Sequence, residues 1–368
     1  LFFKKKAAPQ PAAIAETAAV DEIRPEAPQS DDLALAEHLD AEGRHEEAVD
    51  ALRRAWVDGS IEATRRLGER LLIGRDVAPF PQEGFALINS AAERGDADAL
   101  CLMANLSGAG SMTPQSWPKA FDYLAQAADR GAERARAQLR LLSGRTGSDW
   151  RAMAAAIDID AWLTPPERQA ICESPRVRIA KNLCPPEVCD WLVEAARLKL
   201  KPALMYDGAL RKPVLADSRR CSEYQFDILD SDVALLLVRA KIAALTKMPI
   251  YAFEPPQVFH YKLGDEIKAH YDFVRGDSEG YGRSGAFTSE RIVSSLVYLN
   301  DDYEGGELDF IKGGVKHKGR KGDIVFFANV DLSGAPDRQT LHAGLPVTRG
   351  EKWMLSQWIH NQPFSAAV

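Results

Sequence analysis

The chain has 368 residues, 46% hydrophobic and 27% charged, enough for about two domains with a sizeable core. Its net charge of −7, with both signs interspersed, weighs against nucleic acid as the main partner, because phosphate binding needs a basic stripe. No apolar run approaches the ~18 residues of a membrane span, so no membrane partner is expected.

The opening segment, "LFFKKKAAPQPAAIAETAAV", lacks the order of charge, apolar core and cleavage site that marks a signal peptide. Residues 1–30 read as a disordered Ala/Pro-rich tail. The five cysteines are Cys101, Cys172, Cys184, Cys189 and Cys221. Cys184-x4-Cys189 has no second Cys/His pair at a matching distance for zinc, so buried reduced thiols in a cytoplasmic protein are expected.

Residues 31–145 repeat. "AVDALRRAWVDGSIEATRRL" (48–67), "GFALINSAAERGDADALCLM" (84–103) and "AFDYLAQAADRGAERARAQL" (120–139) align with Gly59, Gly95 and Gly131 spaced 36 residues apart. Leu52, Ile88 and Leu124 recur at the same spacing, as do Ala63, Ala99 and Ala135. The pattern predicts a helix pair per repeat, with glycine at a left-handed helix end and small alanines allowing close approach. One pair cannot bury its apolar face alone, so the pairs stack into an α-solenoid. The motif Ala91-Ala92-Glu93-Arg94-Gly95-Asp96-Ala97 resembles the Sel1-like branch of the tetratricopeptide family. That resemblance implies a protein partner on the repeats; a helical prop for the second domain is the equal alternative.

A connector is expected over 146–176, helical in part. "VRIAKNLCPPEVCDWLVEAA" (177–196) then predicts a strand followed by an amphipathic helix opened by Pro-Pro. A second helix is expected at 231–247, capped by Ser231 or Asp232. After Pro256 the apolar period changes to two, and "QVFHYKL", "KAHYDFV", "RIVSSLVYLN", "GELDFI", "GDIVFFAN" and "KWMLSQWIH" predict short strands of a jelly roll.

His270 and Asp272 share one face of a strand, because residues i and i+2 project together. His342, expected from the opposite sheet, completes two imidazoles and a carboxylate. That set leaves three adjacent metal positions open, as in non-haem Fe(II) oxygenases. Zinc hydrolases usually draw such ligands from a helical H-E-x-x-H, which is absent here. Lys352, ten residues after His342, is placed to reach into the barrel and meet a dicarboxylate.

These residues fall in a longer pattern: Tyr261, His270-Tyr271-Asp272, Tyr298-Leu299-Asn300-Asp301 with Gly305-Gly306-Glu307, Gly322-Asp323-Ile324-Val325-Phe326-Phe327, Leu341-His342 and Lys352-Trp353. Residues 177–368 thereby resemble the prolyl 4-hydroxylase group of 2-oxoglutarate/Fe(II) dioxygenases. The resemblance implies a double-stranded β-helix behind the N-terminal α-solenoid, in a multidomain chain of α plus α+β class. It implies His270, Asp272 and His342 as iron ligands. Lys352 would pair with the distal carboxylate of 2-oxoglutarate, Tyr261 would hydrogen-bond it, and Trp358 would line its pocket. Peptide-contacting positions fall on Arg220, Ser222, Glu254, Arg291 and His360. Fe(II), 2-oxoglutarate, O2 and ascorbate as reductant are the implied cofactors. Proline hydroxylation in a protein or peptide is the implied reaction, coupled to decarboxylation of 2-oxoglutarate to succinate.

Two departures bear on the substrate. Leu308 stands where the family often has Thr, and Ile267 where peptide-hydroxylating members often have Tyr. The same chemistry on a small molecule such as a free amino acid is one alternative. A non-catalytic interaction or oxygen-sensing protein is another. "VRGDSEGYGRSGAFTSER" (274–291) reads as a lid over bound substrate or as an ordinary surface loop.

Overall fold

Glycine and alanine spacing builds the N-terminal half. In the computed structural model, which describes residues 31–207, 212–274 and 289–364, helices α1 (Asp31–Ala41), α2 (His45–Val57), α3 (Ile61–Ile73), α4 (Pro81–Glu93), α5 (Ala97–Ala109), α6 (Trp117–Asp129) and α7 (Glu133–Ser143) follow one another. The expected tail (1–30) and residues 275–288 of the expected lid lie outside the described residues. Gly59, Gly95 and Gly131 stand just past the ends of α2, α4 and α6 with φ of 89°, 92° and 94°, a region open cheaply only to glycine. The first two turns are tied to the next repeat: Arg94 donates to the Gly59 carbonyl at 2.6 Å and Arg130 to the Gly95 carbonyl at 3.2 Å. Ala63, Ala99 and Ala135 are fully buried, which lets the helices close on one another.

The connector contains α8 (Trp150–Ala155) and α9 (Ile159–Leu163), then a hairpin of β1 (Gln169–Glu173) and β2 (Arg176–Ala180). Pro186 opens α10 (Pro186–Arg197), whose apolar stripe of Val188, Cys189, Leu192, Val193 and Ala196 is buried. Short strands β3 (Lys201–Pro202), β4 (Met205–Asp207), β5 (Lys212–Val214) and β6 (Ser222–Gln225) precede α11 (Val233–Thr246). Asp232 caps α11, accepting the Leu235 N–H at 3.0 Å.

The remaining strands are β7 (Gln257–Tyr261), β8 (Ile267–His270), β9 (Arg291–Tyr298), β10 (Glu304–Gly305), β11 (Leu308–Phe310), β12 (Val315–His317), β13 (Ile324–Ala328), β14 (His342–Gly344), β15 (Val347–Arg349) and β16 (Lys352–His360). Strands β13, β9, β16 and β7 join the earlier β1, β2, β6 and β3 in an antiparallel sheet of order β1-β2-β13-β9-β16-β7-β6-β3, faced by a smaller one, β12-β11-β14-β8, while β10 pairs with β15. The period-two pattern sorts the side chains of the large sheet. Val258, Val297, Phe326 and Leu355 pack under α10 and α11, while Phe259, Tyr298, Phe327 and Met354 face the small sheet. His342 does not come from the sheet facing His270: β14 pairs with β8, and His342 is the register partner of His270. Strand β8 also stops at His270, so Asp272 sits just beyond the ladder.

The solenoid and the barrel share a core. Val233, Ala234, Leu236 and Leu237 of α11 belong to the same buried cluster as the helices α5 and α6. Polar contacts frame that seam. Asn105 donates to the Ser231 carbonyl at 2.5 Å, and the Val233 N–H donates to Gln138 at 3.0 Å. Buried Asp232 also accepts from Trp191 at 2.7 Å and Arg134 at 3.1 Å.

Candidate active site

The cross-strand register of β8 and β14 brings the two imidazoles together, with ring centroids 4.3 Å apart. Asp272 Oδ1 lies 3.5 Å from His270 Nε2, and Oδ2 lies 3.8 Å from His342 Nε2. Ligand atoms of all three lie within 4.8 Å of one another. His270 Nδ1 is 2.9 Å from the Lys268 carbonyl and His342 Nδ1 is 2.9 Å from the Thr340 carbonyl. A carbonyl only accepts, so each Nδ1 carries its hydrogen and each Nε2 presents a lone pair inward, as a metal ligand must. Burial, with the neighbouring His270, pulls His342 down to about 4, so its imidazole is neutral at physiological pH. Burial alone would raise Asp272, but His342 and His270 outweigh it and hold the carboxyl well below its usual range. Phe310 and Phe327 pack on the His342 ring, with centroids at 5.8 and 4.9 Å, and keep that side dry. The donor set and its second partners therefore fit a divalent iron.

The cluster opens into a cavity between the two sheets, whose deep end is lined by Tyr261, Tyr298, Leu308, Lys352 and Met354. Lys352 is 5% exposed and stands opposite Tyr261 in the β16–β7 register. Its ammonium donates to the Gly306 carbonyl at 2.6 Å, and among the described residues it forms no ion pair. Burial draws it down to about 8. A buried cation without a counter-charge is costly, and the distal carboxylate of 2-oxoglutarate supplies one. Burial also pushes the Tyr261 phenol far up, so it stays a donor for that carboxylate. Gly306 is needed beside this lysine: φ is +68°, and a Cβ there would come within 3.1 Å of Lys352 Cδ.

The expected peptide-contacting residues divide. Arg291 lines the cavity with its guanidinium 4.1 Å from the Trp358 ring centroid. Glu254 and His360 stand outside its lining among the described residues. Both are buried, at 4% and 0% exposure, and they work on Arg291 from behind. Glu254 takes a two-point contact from Arg291 at 2.5 and 2.9 Å and bonds His360 Nε2 at 2.6 Å. Arg220 and Ser222 also stand away from the metal cavity, in an adjoining groove, with Arg220 paired to Glu266 at 2.9 Å. Trp358 and Tyr261 both line the cavity.

Beside Trp358, four residues that the motifs did not single out belong to this region: Gln257, Ser356, Arg239 and Ser294. Gln257 Oε1, Ser356 Oγ and Trp358 Nε1 are buried and lack a hydrogen-bond partner among the described residues, and all three residues line the cavity. Gln257 and Ser356 are register partners, so a bound polar group would meet an acceptor, a hydroxyl and an indole N–H on one face. Behind them Arg239 of α11 donates to the Glu254 carbonyl at 3.1 Å and to Gln357 at 3.0 Å. Ser294 donates to Asp272 Oδ2 at 2.6 Å. The available signal was polar residues at inward positions of otherwise apolar strands.

Residues 256–360 match the 2OG-Fe(II) oxygenase superfamily. Over 208 residues the chain is 31% identical to prolyl 4-hydroxylase 13 of Arabidopsis thaliana, covering 52% of this chain and 73% of that protein. Over 214 residues it is 34% identical to probable prolyl 4-hydroxylase 9 of the same plant, covering 53% and 72%. The chain belongs to the prolyl 4-hydroxylase family. As a member it is a 2-oxoglutarate-dependent dioxygenase whose family cofactors are Fe(II) and 2-oxoglutarate. Among solved structures it is similar to the viral collagen prolyl hydroxylase of Paramecium Bursaria Chlorella virus-1 in its 2-oxoglutarate complex, at 29% identity, covering 52% of this chain and 99% of that one, with a TM-score of 0.40. A Sel1 repeat protein from Oxalobacter formigenes is similar at 22% identity, covering 36% and 60%, with a TM-score of 0.29.

Leu308, where the family often has Thr, lines the deep end of the cavity. Leu308→Thr is expected to tighten 2-oxoglutarate binding several-fold, the size of one net hydrogen bond of about 1 kcal/mol. Titration calorimetry of the Mn(II)-loaded protein checks this; unchanged affinity would mean the hydroxyl does not reach the ligand.

Proposed function

We propose that this dioxygenase hydroxylates proline within a protein or peptide, coupled to decarboxylation of 2-oxoglutarate to succinate. The observation that carries the reading is one cavity holding both a two-histidine, one-carboxylate cluster and a buried lysine that forms no ion pair among the described residues. The match at over 30% identity to prolyl 4-hydroxylases supports the choice of substrate.

His270, Asp272 and His342 would hold the iron on one face and leave the other for 2-oxoglutarate and O2. The bound iron supplies the redox chemistry: 2-oxoglutarate loses CO2 to become succinate with one oxygen atom of O2, and the other atom enters a substrate C–H bond. The protein supplies position and dryness. Lys352 and Tyr261 orient the distal carboxylate from the deep end. Phe310 and Phe327 shield the His342 side. Arg291 is pinned by Glu254 against the Trp358 ring, which presents a fixed cationic donor to a carbonyl of the incoming substrate. The donors and acceptors on Gln257, Ser356 and Trp358 that lack partners among the described residues suit a backbone amide better than an apolar group.

The test is succinate formation with Fe(II) and ascorbate, wild type beside His270→Ala, followed by mass spectrometry of proline-containing peptides and of free proline. Expected are slow succinate release without substrate, acceleration by peptide, addition of one oxygen to proline, and a loss of at least ~100-fold in His270→Ala. Acceleration by free proline alone would replace the peptide with a small-molecule substrate. No turnover under any condition would sink the enzymatic reading.

A further inference from the structure

We propose that Ser294 and Asn329 form a hydrogen-bond relay that holds Asp272 as a one-oxygen metal ligand, keeping three metal positions open; this rests on the metal-site reading above. Ser294 is in β9 and Asn329 directly follows β13, and both are fully buried. Asn329 Nδ2 lies 2.9 Å from Ser294 Oγ, and Ser294 Oγ lies 2.6 Å from Asp272 Oδ2.

The direction of the relay follows from chemistry. An ionised carboxylate only accepts, so the serine hydrogen must point at Asp272. The serine oxygen then faces Asn329 with its lone pairs, so the amide must present its NH2. Asn329 is itself anchored: its N–H donates to the Ile292 carbonyl at 2.9 Å and its carbonyl accepts from the Asp337 N–H at 2.8 Å. The same loop goes on to Thr340, whose carbonyl orients His342.

Asp272 needs such a hold more than the histidines do. It lies beyond the end of β8, outside the ladder that fixes His270. A carboxylate free to rotate binds a metal through one oxygen or through both. Binding through both occupies a fourth position and leaves two, too few for a two-point cosubstrate plus O2. A short charge-assisted hydrogen bond to Oδ2 keeps that oxygen engaged on the serine and leaves Oδ1 for the metal.

The experiment uses Co(II) as a probe, without cosubstrate, on the full chain. Its dissociation constant and visible absorption are measured for wild type, Ser294→Ala, Ser294→Thr, Asn329→Leu and His270→Ala. Ser294→Ala is expected to weaken Co(II) by ~10- to 100-fold, as loss of such outer partners does, and to change band intensity as coordination changes. Ser294→Thr keeps the hydroxyl and restores both readings. Asn329→Leu, close in volume, moves both in the same direction by less. A Ser294→Ala protein that folds and binds Co(II) within about twofold of wild type, with an unchanged spectrum, overturns the relay. If Ser294→Ala does not fold, the same criterion applied to Asn329→Leu decides. Wild type that does not bind Co(II), or His270→Ala that binds it equally well, overturns the metal-site reading and the relay with it.

Discussion

Lys352→Met is expected to weaken 2-oxoglutarate binding at least ~30-fold while making the ligand-free protein more stable. Removing one partner of a buried, hydrogen-bonded charge pair costs about 2–5 kcal/mol, and each 1.4 kcal/mol is tenfold in affinity. The ligand-free state has the opposite interest. Lys352 is buried and, among the described residues, meets the Gly306 carbonyl and the Tyr261 ring but no counter-charge in ion-pair contact, so an apolar side chain of similar length removes a desolvated charge. The pH dependence separates these effects. Burial holds the folded ammonium at about 8, whereas an unfolded lysine titrates near its ordinary value of 10.5. Between those values the unfolded chain binds more protons, so this group makes stability rise with pH across that window. Below about pH 8 its destabilising contribution is present in full. The stability advantage of Lys352→Met should therefore be largest below pH 8 and shrink from pH 8 towards 10.5. Urea denaturation at several pH values reads that difference. Cosubstrate binding restores the ammonium, so wild-type affinity should fall as pH rises through about 8, with proton uptake detectable by calorimetry in two buffers. A Lys352→Met protein that binds 2-oxoglutarate normally would remove the lysine from the site.

A chain beginning at residue 146 is expected to lose solubility and turnover together. The repeats are not a detachable arm, because α11 gives one side to the barrel and the other to α5 and α6. Val233, Leu236 and Leu237 are each no more than 1% exposed. Burying such side chains stabilises by about 1.5–3 kcal/mol each, so the seam is worth of order 5 kcal/mol, comparable to a whole domain's net stability. A single wedge should act in the same direction. Gly108 of α5 faces Leu236, and a Cβ there would already lie 3.3 Å from Leu236 Cδ1 and 3.2 Å from Trp117. Gly108→Leu should cost about 1–3 kcal/mol of stability and lower the thermal midpoint. Light scattering and succinate assays on the truncated chain check the larger claim. A soluble, monomeric, fully active fragment would show the repeats to be a passive appendage.

Local patterns in the sequence carried much of this protein. Alternation of apolar residues predicts β7, β9, β13 and β16, because a strand shows its two faces every second residue. Gly59, Gly95 and Gly131 mark helix ends because a left-handed turn excludes most other residues cheaply. His270 and Asp272 were legible as a pair because two residues on a strand point the same way. The reading failed where contacts join distant segments. The sequence pattern puts His342 on the facing sheet, whereas it lies beside His270, since pairing order is set by how the whole barrel closes and leaves no mark in β14 itself. The family resemblance places Glu254 and His360 among peptide-contacting positions, and their burial behind Arg291 is visible only in the folded chain.

The His-x-Asp pair, the repeat period and the alternating strands are local properties of chain geometry, and the sequence alone determined them. Which side chains face the cavity, which stand behind it, and how Ser294 and Asn329 meet Asp272 are decided by packing of segments far apart in the chain. The same is true of the seam that fuses the repeats to α11. Those contacts depend on the register and closure of two sheets, and only the tertiary structure places them.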